Sequence, residues 1–270
     1  MSYIEAIILG VVQGLTEFVP ISSSGHLILV HKIFGETGID LSVDAILQLA
    51  SILAVLIYFR TDIVRVIRTL FHHIAGRGVE QEDKNLLFAI VLGTIPAFIL
   101  GVLLESKMET VFRSAHLVAY ALIAGSIIMF LAEKIQGPTL KSNPQGRTLD
   151  GRKGFFIGLF QALALVPGIS RSGSTISGGL FVGLNRHEAT RFSFILSFPI
   201  IVGSGLKKFL DLSVSGGFME IGTPLLVSFI LSFVVGLISI NLLLKYLKNH
   251  NLHIFVWYRL ILAAVILFFL

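Results

Sequence analysis

A carboxylate, three consecutive hydroxyls and an imidazole fall within one short apolar stretch, Gln13-Gly-Leu-Thr-Glu17-Phe-Val-Pro20-Ile-Ser22-Ser23-Ser24-Gly25-His26. A hydroxyl becomes a nucleophile when a base stands close enough to take its proton, and near neutral pH that base is usually His. Glu17 lies four residues after Gln13, so the two project from one helix face. A carboxylate among apolar residues costs several kcal/mol at membrane depth unless it is paired or hydrated. Glu17 therefore reads as a metal ligand or a general base, against the plainer reading of a helix-end Glu that reaches water. Gln13 can only hydrogen-bond or offer a neutral oxygen. One of Ser22, Ser23 and Ser24 can serve simply as a helix N-cap.

Half a chain later a related stretch appears, Gly158-Leu-Phe-Gln161-Ala-Leu-Ala-Leu-Val-Pro167-Gly168-Ile-Ser170-Arg171-Ser172-Gly173-Ser174-Thr175. Both are apolar runs with Gln that break at Pro and open into Ser and Gly. The second carries a guanidinium, several hydroxyls and the exposed N–H groups of a helix start. That set suits a phosphate group, through a bidentate Arg and a helix N-terminus. The competing reading is a small-residue packing motif with a snorkelling Arg. The second stretch has no general base, so it reads as a binder and the first as the reactive half.

The elements that must position these residues are membrane helices. Of 270 residues, 54% are hydrophobic and 14% charged, against about 25% charged in a soluble domain. Mean hydropathy is +0.88. Six runs are long enough to span a bilayer, which takes about 20 apolar residues or somewhat fewer: 43–59, 86–104, 116–131, 192–206, 224–244 and 254–270. Lys and Arg concentrate in the segments after the first, third and fifth runs, which places those segments in the cytoplasm. The same pattern accounts for the net charge of +5 without a nucleic-acid partner. Cys is absent, so disulfides and thiolate chemistry are excluded. Met1-Ser-Tyr-Ile-Glu5 lacks the basic start of a cleaved signal peptide.

With these orientations, residues 1–42 begin and end outside and residues 154–191 begin and end inside. Each repeated stretch is then a re-entrant helix–break–helix hairpin, and the two enter from opposite faces. The predicted fold is an all-α integral membrane protein with about six full transmembrane helices plus two re-entrant hairpins, in an inverted-topology repeat. Such repeats place binding sites where broken helices meet near the midplane, and irregular backbone at that depth must be buried or line a wet cavity. The alternative is that each stretch is two short spans joined by a surface turn. One membrane domain results, 1–135 and 154–270 forming the repeats and 136–153 a cytoplasmic linker. His72-His73 read as part of a solvated basic loop, and Arg186-His187-Glu188 with Arg191 as a cytoplasmic anchor. Gly178, Gly179 and Gly183 permit close helix approach.

At Gln13–His26 and Pro167–Thr175 the chain resembles the undecaprenyl-diphosphatase family, the bacitracin-resistance type of membrane phosphatase, and the likeness extends over essentially the whole chain. The resemblance implies hydrolysis of undecaprenyl diphosphate to undecaprenyl phosphate and inorganic phosphate, recycling the lipid carrier for cell-wall synthesis. It also implies a divalent cation, Mg²⁺ or Ca²⁺, and a site opening to the outer face of the bacterial cytoplasmic membrane. Position by position, Glu17, Ser23, His26 and Arg171 become the central residues, with Glu17 the metal ligand. Ser170, Ser172 and Thr175 line the phosphate pocket; Gln13, Ser22, Ser24 and Ser174 complete the substrate-binding set. Many members have Glu where this chain has Gln13, which leaves Glu17 as the one carboxylate of the signature.

On this reading Ser23 attacks the terminal phosphorus while His26 or Glu17 takes its proton, or else metal-activated water attacks directly. The partners are the polyprenyl diphosphate and membrane lipids, with a homodimer left open. The rival class is a polyprenyl-phosphate flippase or ion-coupled transporter on the same inverted repeat, which has no use for a nucleophile.

Overall fold

The computed structural model describes residues 1–34, 41–110, 114–142, 148–214 and 222–269. Among these residues the chain is all helix: α1 (Tyr3–Thr16), α2 (Ser23–Ile33), α3 (Leu41–Tyr58), α4 (Arg60–Ile74), α5 (Gln81–Thr110), α6 (Ala115–Ser142), α7 (Gly151–Leu163), α8 (Arg171–Phe181), α9 (Arg186–Val214), α10 (Thr223–Asn249) and α11 (His253–Phe269). Within α5, α6 and α10, the segments Gln81–Leu104, Ala115–Gln136 and Thr223–Asn249 are long and apolar enough to cross a membrane. α3 and α4 would add a fourth if counted as one bent span. These helices are compatible with a multi-pass membrane protein.

Both repeated stretches are helix–break–helix. α1 starts at a capping box, in which the Ser2 hydroxyl accepts from the Glu5 N–H and the Glu5 carboxylate accepts from the Ser2 N–H. It ends before Pro20, and α2 resumes at Ser23. α7 is capped by Asp150, ends before Pro167, and α8 resumes at Arg171. The residue before each second helix is a serine at positive φ: Ser22 at 74° and Ser170 at 71°. They are the two non-glycine residues with positive φ among the described residues. Such a backbone costs about 1–3 kcal/mol and persists only where its surroundings enforce it. The duplication seen in sequence is thus a duplication of backbone geometry.

Packing crosses between the halves: α1 lies along α10, and α7 along α5. Close approach is permitted by Gly10-x3-Gly14 in α1 and Gly154-x3-Gly158 in α7. A Cβ on Gly14 would stand 2.6 Å from the Ser232 carbonyl oxygen, and one on Gly158 would meet the Gly93 backbone. The main core joins residues from both halves, including Phe18, Ala54, Phe194 and Ile240.

Two expected loops are structured. The basic segment after the first predicted span forms α4, inclined 79° to the preceding helix, with His72 and His73 in its last turn. Its charged residues alternate with apolar ones at helical spacing, which a count of charges overlooks. α6 also continues to Ser142, into the predicted linker, of which 143–147 lie outside the described residues. Arg186 of the predicted anchor is a structural tie: its guanidinium bonds Glu133 of α6 at 2.6 and 2.9 Å, and the same carboxylate accepts from the Leu252 N–H.

Candidate active site

The two breaks meet. Glu17, the C-cap residue directly after α1, is the hub. Its Oε2 accepts a hydrogen bond from the Ser23 hydroxyl at 2.9 Å and one from Gln13 Nε2 at 3.3 Å. Its Oε1 accepts from Arg171 Nη2 at 3.1 Å, across the chain's two halves. Both partners of that ion pair are 14% exposed, so solvent screens the pair only weakly. The i, i+4 spacing of Gln13 and Glu17 does put both on one helix face, and Gln13 also donates to Ser51 of α3 at 3.4 Å.

Further bonds lock the tips. The Gly168 N–H donates to the Ser24 hydroxyl at 3.0 Å, and the Ser172 hydroxyl donates to the Val19 carbonyl at 3.4 Å. Ser22 bonds Ser24 at 3.0 Å, and Ser170 bonds Ser172 at 3.3 Å while capping the Gly173 N–H. Gly168 itself sits at φ 101°, with Val118 and Ala121 against its Cα. A side chain there would strain the backbone and collide with α6.

Beside Glu17 lies a cavity of about 200 Å³ lined by Ser23, Gln48, Ser51, Ser170 and Arg171, among others. Two buried polar atoms on these residues have no partner: Arg171 Nη1 and Gln48 Oε1. An unpaired buried polar atom costs roughly 1–3 kcal/mol, so such atoms in a cavity wall mark places where a ligand completes the bonding. The first is half of a guanidinium fork, already anchored through Nη2, with its other nitrogen free for an anion.

The remaining predicted residues point elsewhere. His26 bonds the Ser22 carbonyl oxygen through Nδ1 at 2.7 Å and Tyr258 Oη through Nε2 at 2.7 Å, its ring stacked within 5° of the tyrosine. A carbonyl only accepts, so Nδ1 carries a proton. Neither nitrogen bonds Ser23; the group that does is Glu17. The Ser174 hydroxyl donates to the Phe160 carbonyl, and Thr175 Oγ1 bonds the Arg171 carbonyl and Ser193. Thr175 and Ser174 are buried in helix packing rather than set at the cavity wall.

Residues the sequence reading passed over complete the site. Arg259 of α11 is fully buried. Its Nη2 donates to the Gly168 carbonyl at 3.0 Å and the Leu122 carbonyl at 3.1 Å, its Nη1 to the Pro20 carbonyl at 3.5 Å, and its Nε to Ser126 at 3.1 Å. One side chain thus holds both proline-marked breaks. A basic residue inside an apolar run near the chain end was the available signal. Gln48 and Ser51 are polar residues five and eight places after the start of the first predicted span at Val43, and they reach the cavity from α3.

Among the described residues no group of three or more His, Cys, Asp or Glu could enclose a metal ion. The donors at the cavity are one carboxylate, amide oxygens and hydroxyls. They fit a hard cation that keeps waters and shares phosphate oxygens, a mode that needs only one or two carboxylates. They do not fit an all-protein cage.

Residues 6–265 match the model of the family described as bacitracin resistance protein BacA. An undecaprenyl-diphosphatase of Mycobacterium ulcerans (strain Agy99) is 40% identical over 272 residues, covering 100% of this chain and 97% of that protein. An undecaprenyl-diphosphatase 1 of Corynebacterium jeikeium (strain K411) is 41% identical over 268 residues, covering 99% and 94%.

Proposed function

The chain belongs to the bacitracin resistance protein BacA family, and on that premise we propose that it is a membrane hydrolase removing the terminal phosphate of undecaprenyl diphosphate, in keeping with its relatives' names. The product, undecaprenyl phosphate, returns the lipid carrier to cell-wall synthesis, and this recycling underlies bacitracin resistance. The observation that carries the reading is Glu17 bonded at once to a hydroxyl and to a guanidinium from the opposite half of the chain. A transporter has no need of that arrangement.

The terminal phosphate sits in the cavity. Arg171 Nη1 and the first N–H groups of α8 bind its oxygens. Ser23 Oγ attacks phosphorus and passes its proton to Glu17 Oε2. The bond from phosphorus to the bridging oxygen breaks, and undecaprenyl phosphate leaves. Glu17 hands that proton to the departing phosphate, then takes one from the water that attacks the phosphoserine, and returns it to Ser23 Oγ as the phosphorus–Oγ bond breaks and inorganic phosphate leaves. Loss of negative charge on Glu17 as it takes the proton frees Arg171 to follow the charge growing on phosphate. His26 holds the start of α2 through the Ser22 carbonyl and so keeps Ser23 in line. A Mg²⁺ or Ca²⁺ would be held by Glu17 and the Gln48 amide oxygen; when bound it supplies charge neutralisation on the phosphate oxygens.

The fold around this site is six spans with two re-entrant hairpins in inverted topology. The paired breaks, the paired serines at positive φ and the exchange packing of α1 on α10 and α7 on α5 support it. Following the distribution of Lys and Arg, the protein sits in the bacterial cytoplasmic membrane with its site opening outward.

Phosphate release from farnesyl diphosphate by the purified protein tests the reading. Activity in the wild type that is lost in Glu17→Ala and Arg171→Ala is expected. Activity retained in both variants refutes the site.

A further inference from the structure

α4 lies outside both breaks and carries a second set of unusual surface features. A helix leaving the preceding one at 79° runs nearly parallel to the surface of a bilayer that the preceding helix crosses. α4 has two distinct sides. Ile67, Phe71 and Ile74 repeat at helical spacing, are 45–73% exposed, and are covered by none of the described residues, while Val64 stands where this side meets the groove. The other side, with the 78–83 segment, bounds a groove of about 600 Å³. Arg60, Arg65, Arg68 and His72 line it.

The groove's charges are unevenly committed. Arg65 is held by Asp83, and by Glu82 at 3.5 Å. Arg60 donates to the Ile57 carbonyl of its own chain turn at 3.2 Å. Arg68 pairs with none of the described residues. Asp83 is thus neutralised, leaving Glu80 as the acid that faces Arg60, Arg68 and His72. A soluble protein does not leave a row of large apolar side chains beside an uncommitted arginine. An anionic phospholipid satisfies both features, with its phosphate in the groove and its acyl chains along the apolar side.

We propose that α4 is an interfacial helix whose Arg60–Arg68 groove binds the headgroup of an anionic phospholipid of the surrounding membrane, at a site separate from the phosphatase cavity. The arginines provide the charge and fork for a phosphodiester, while the hydroxyls of Thr61 and Thr69 stand within the same groove. Anchoring there fixes the slant of α4. Through the ion pair between Asp62 and Arg191 of α9, it also bears on the helix that follows the second hairpin.

The test uses the full chain purified in neutral detergent micelles, titrated separately with phosphatidylglycerol, phosphatidylcholine and inorganic phosphate while its melting temperature is followed. Phosphatidylglycerol is expected to raise the melting temperature, and an Arg60→Gln/Arg68→Gln double variant to weaken that response. At about fivefold per arginine the apparent affinity falls roughly 25-fold, with turnover in neutral micelles unchanged. An equal response in the double variant, or an equal response to phosphatidylcholine, overturns the site; a matching response to inorganic phosphate overturns the lipid as its occupant. Because the chain has no cysteine, Phe71→Cys accepts a single environment-sensitive fluorophore. Quenching by a lipid-borne quencher in nanodiscs is expected, and quenching by aqueous iodide alone overturns the interfacial placement.

Discussion

Ser23 and Arg171 occupy the same place in the two halves of the chain, and they bond the two oxygens of one carboxylate. Each is the first residue of the helix that resumes after a break, directly behind a serine at positive φ. Ser23 bonds Glu17 Oε2 at 2.9 Å and Arg171 bonds Oε1 at 3.1 Å. Equivalent positions of the two repeated stretches are thus brought together, one a hydroxyl and the other a guanidinium.

Glu17→Gln keeps the shape of the hub and removes its basicity. Turnover should fall by about 10²–10⁴-fold, the usual weight of a general base, measured as phosphate release at saturating substrate. Substrate affinity should change little, because Arg171 remains. Full turnover in this variant would exclude Glu17 as the proton acceptor.

If Ser23 is the nucleophile, rapid-quench samples with terminally labelled substrate will show labelled protein in the wild type and none in Ser23→Ala. No label on either protein would move the attack to water and leave Ser23 as a positioning group, and acid-stable label on Ser23→Ala would assign the attack to another side chain.

The bonds of His26 give it a different signature from Glu17. His26→Asn preserves a donor toward the Ser22 carbonyl, and Tyr258→Phe removes only the partner of Nε2. Each should lower turnover by about tenfold or less, well short of the loss expected for a general base. A loss in His26→Asn as large as that in Glu17→Gln, in parallel assays, would make the imidazole the base.

Arg259→Met should destabilise the fold by about 3 kcal/mol or more, since it strands buried carbonyl oxygens at roughly 1–3 kcal/mol each. Thermal unfolding in detergent will show this as a lowered midpoint, with activity lost at temperatures where the wild type remains active. An unchanged midpoint would mean that the tips are held without it.

Gly14→Leu forces a side chain against the α10 backbone and should cost about 1–3 kcal/mol. Gly78→Ala, where nothing lies within 4 Å, should leave the midpoint within about 0.5 kcal/mol of wild type, as surface changes do. The two variants together separate helix apposition from the generic effect of replacing glycine.

The breaks were legible because Pro, Gly and runs of Ser interrupt apolar periodicity in a way no packed helix tolerates, and Glu17 and Arg171 stood out as charges within them. Arg259 was not, because one basic residue leaves a 17-residue run apolar on average. Beyond the Ser126 hydroxyl its partners are carbonyl oxygens at Pro20, Leu122 and Gly168, which carry no side-chain signature at all. Gln48 was hidden likewise within a span. His26 was legible as a residue but not in its direction: adjacency to three serines suggested a proton relay, whereas the turn of α2 carries the ring to Tyr258. α4 was read as a loop because its charges were counted without the apolar rows between them.

The exchange of partners between the halves has a consequence for biosynthesis. The first helix–break–helix is made well before α10, against which α1 packs, and before Arg259, which grips the Pro20 carbonyl. Until then α1 lacks its packing partner and the first break lacks the side chain that grips it, and lipid offers the polar groups around Glu17 nothing. The hairpin must wait at the membrane surface or within the insertion machinery until the C-terminal helices arrive. Seating of the first break therefore depends on α10 and α11, and a variant lacking α11 leaves it unseated as surely as deleting its own residues.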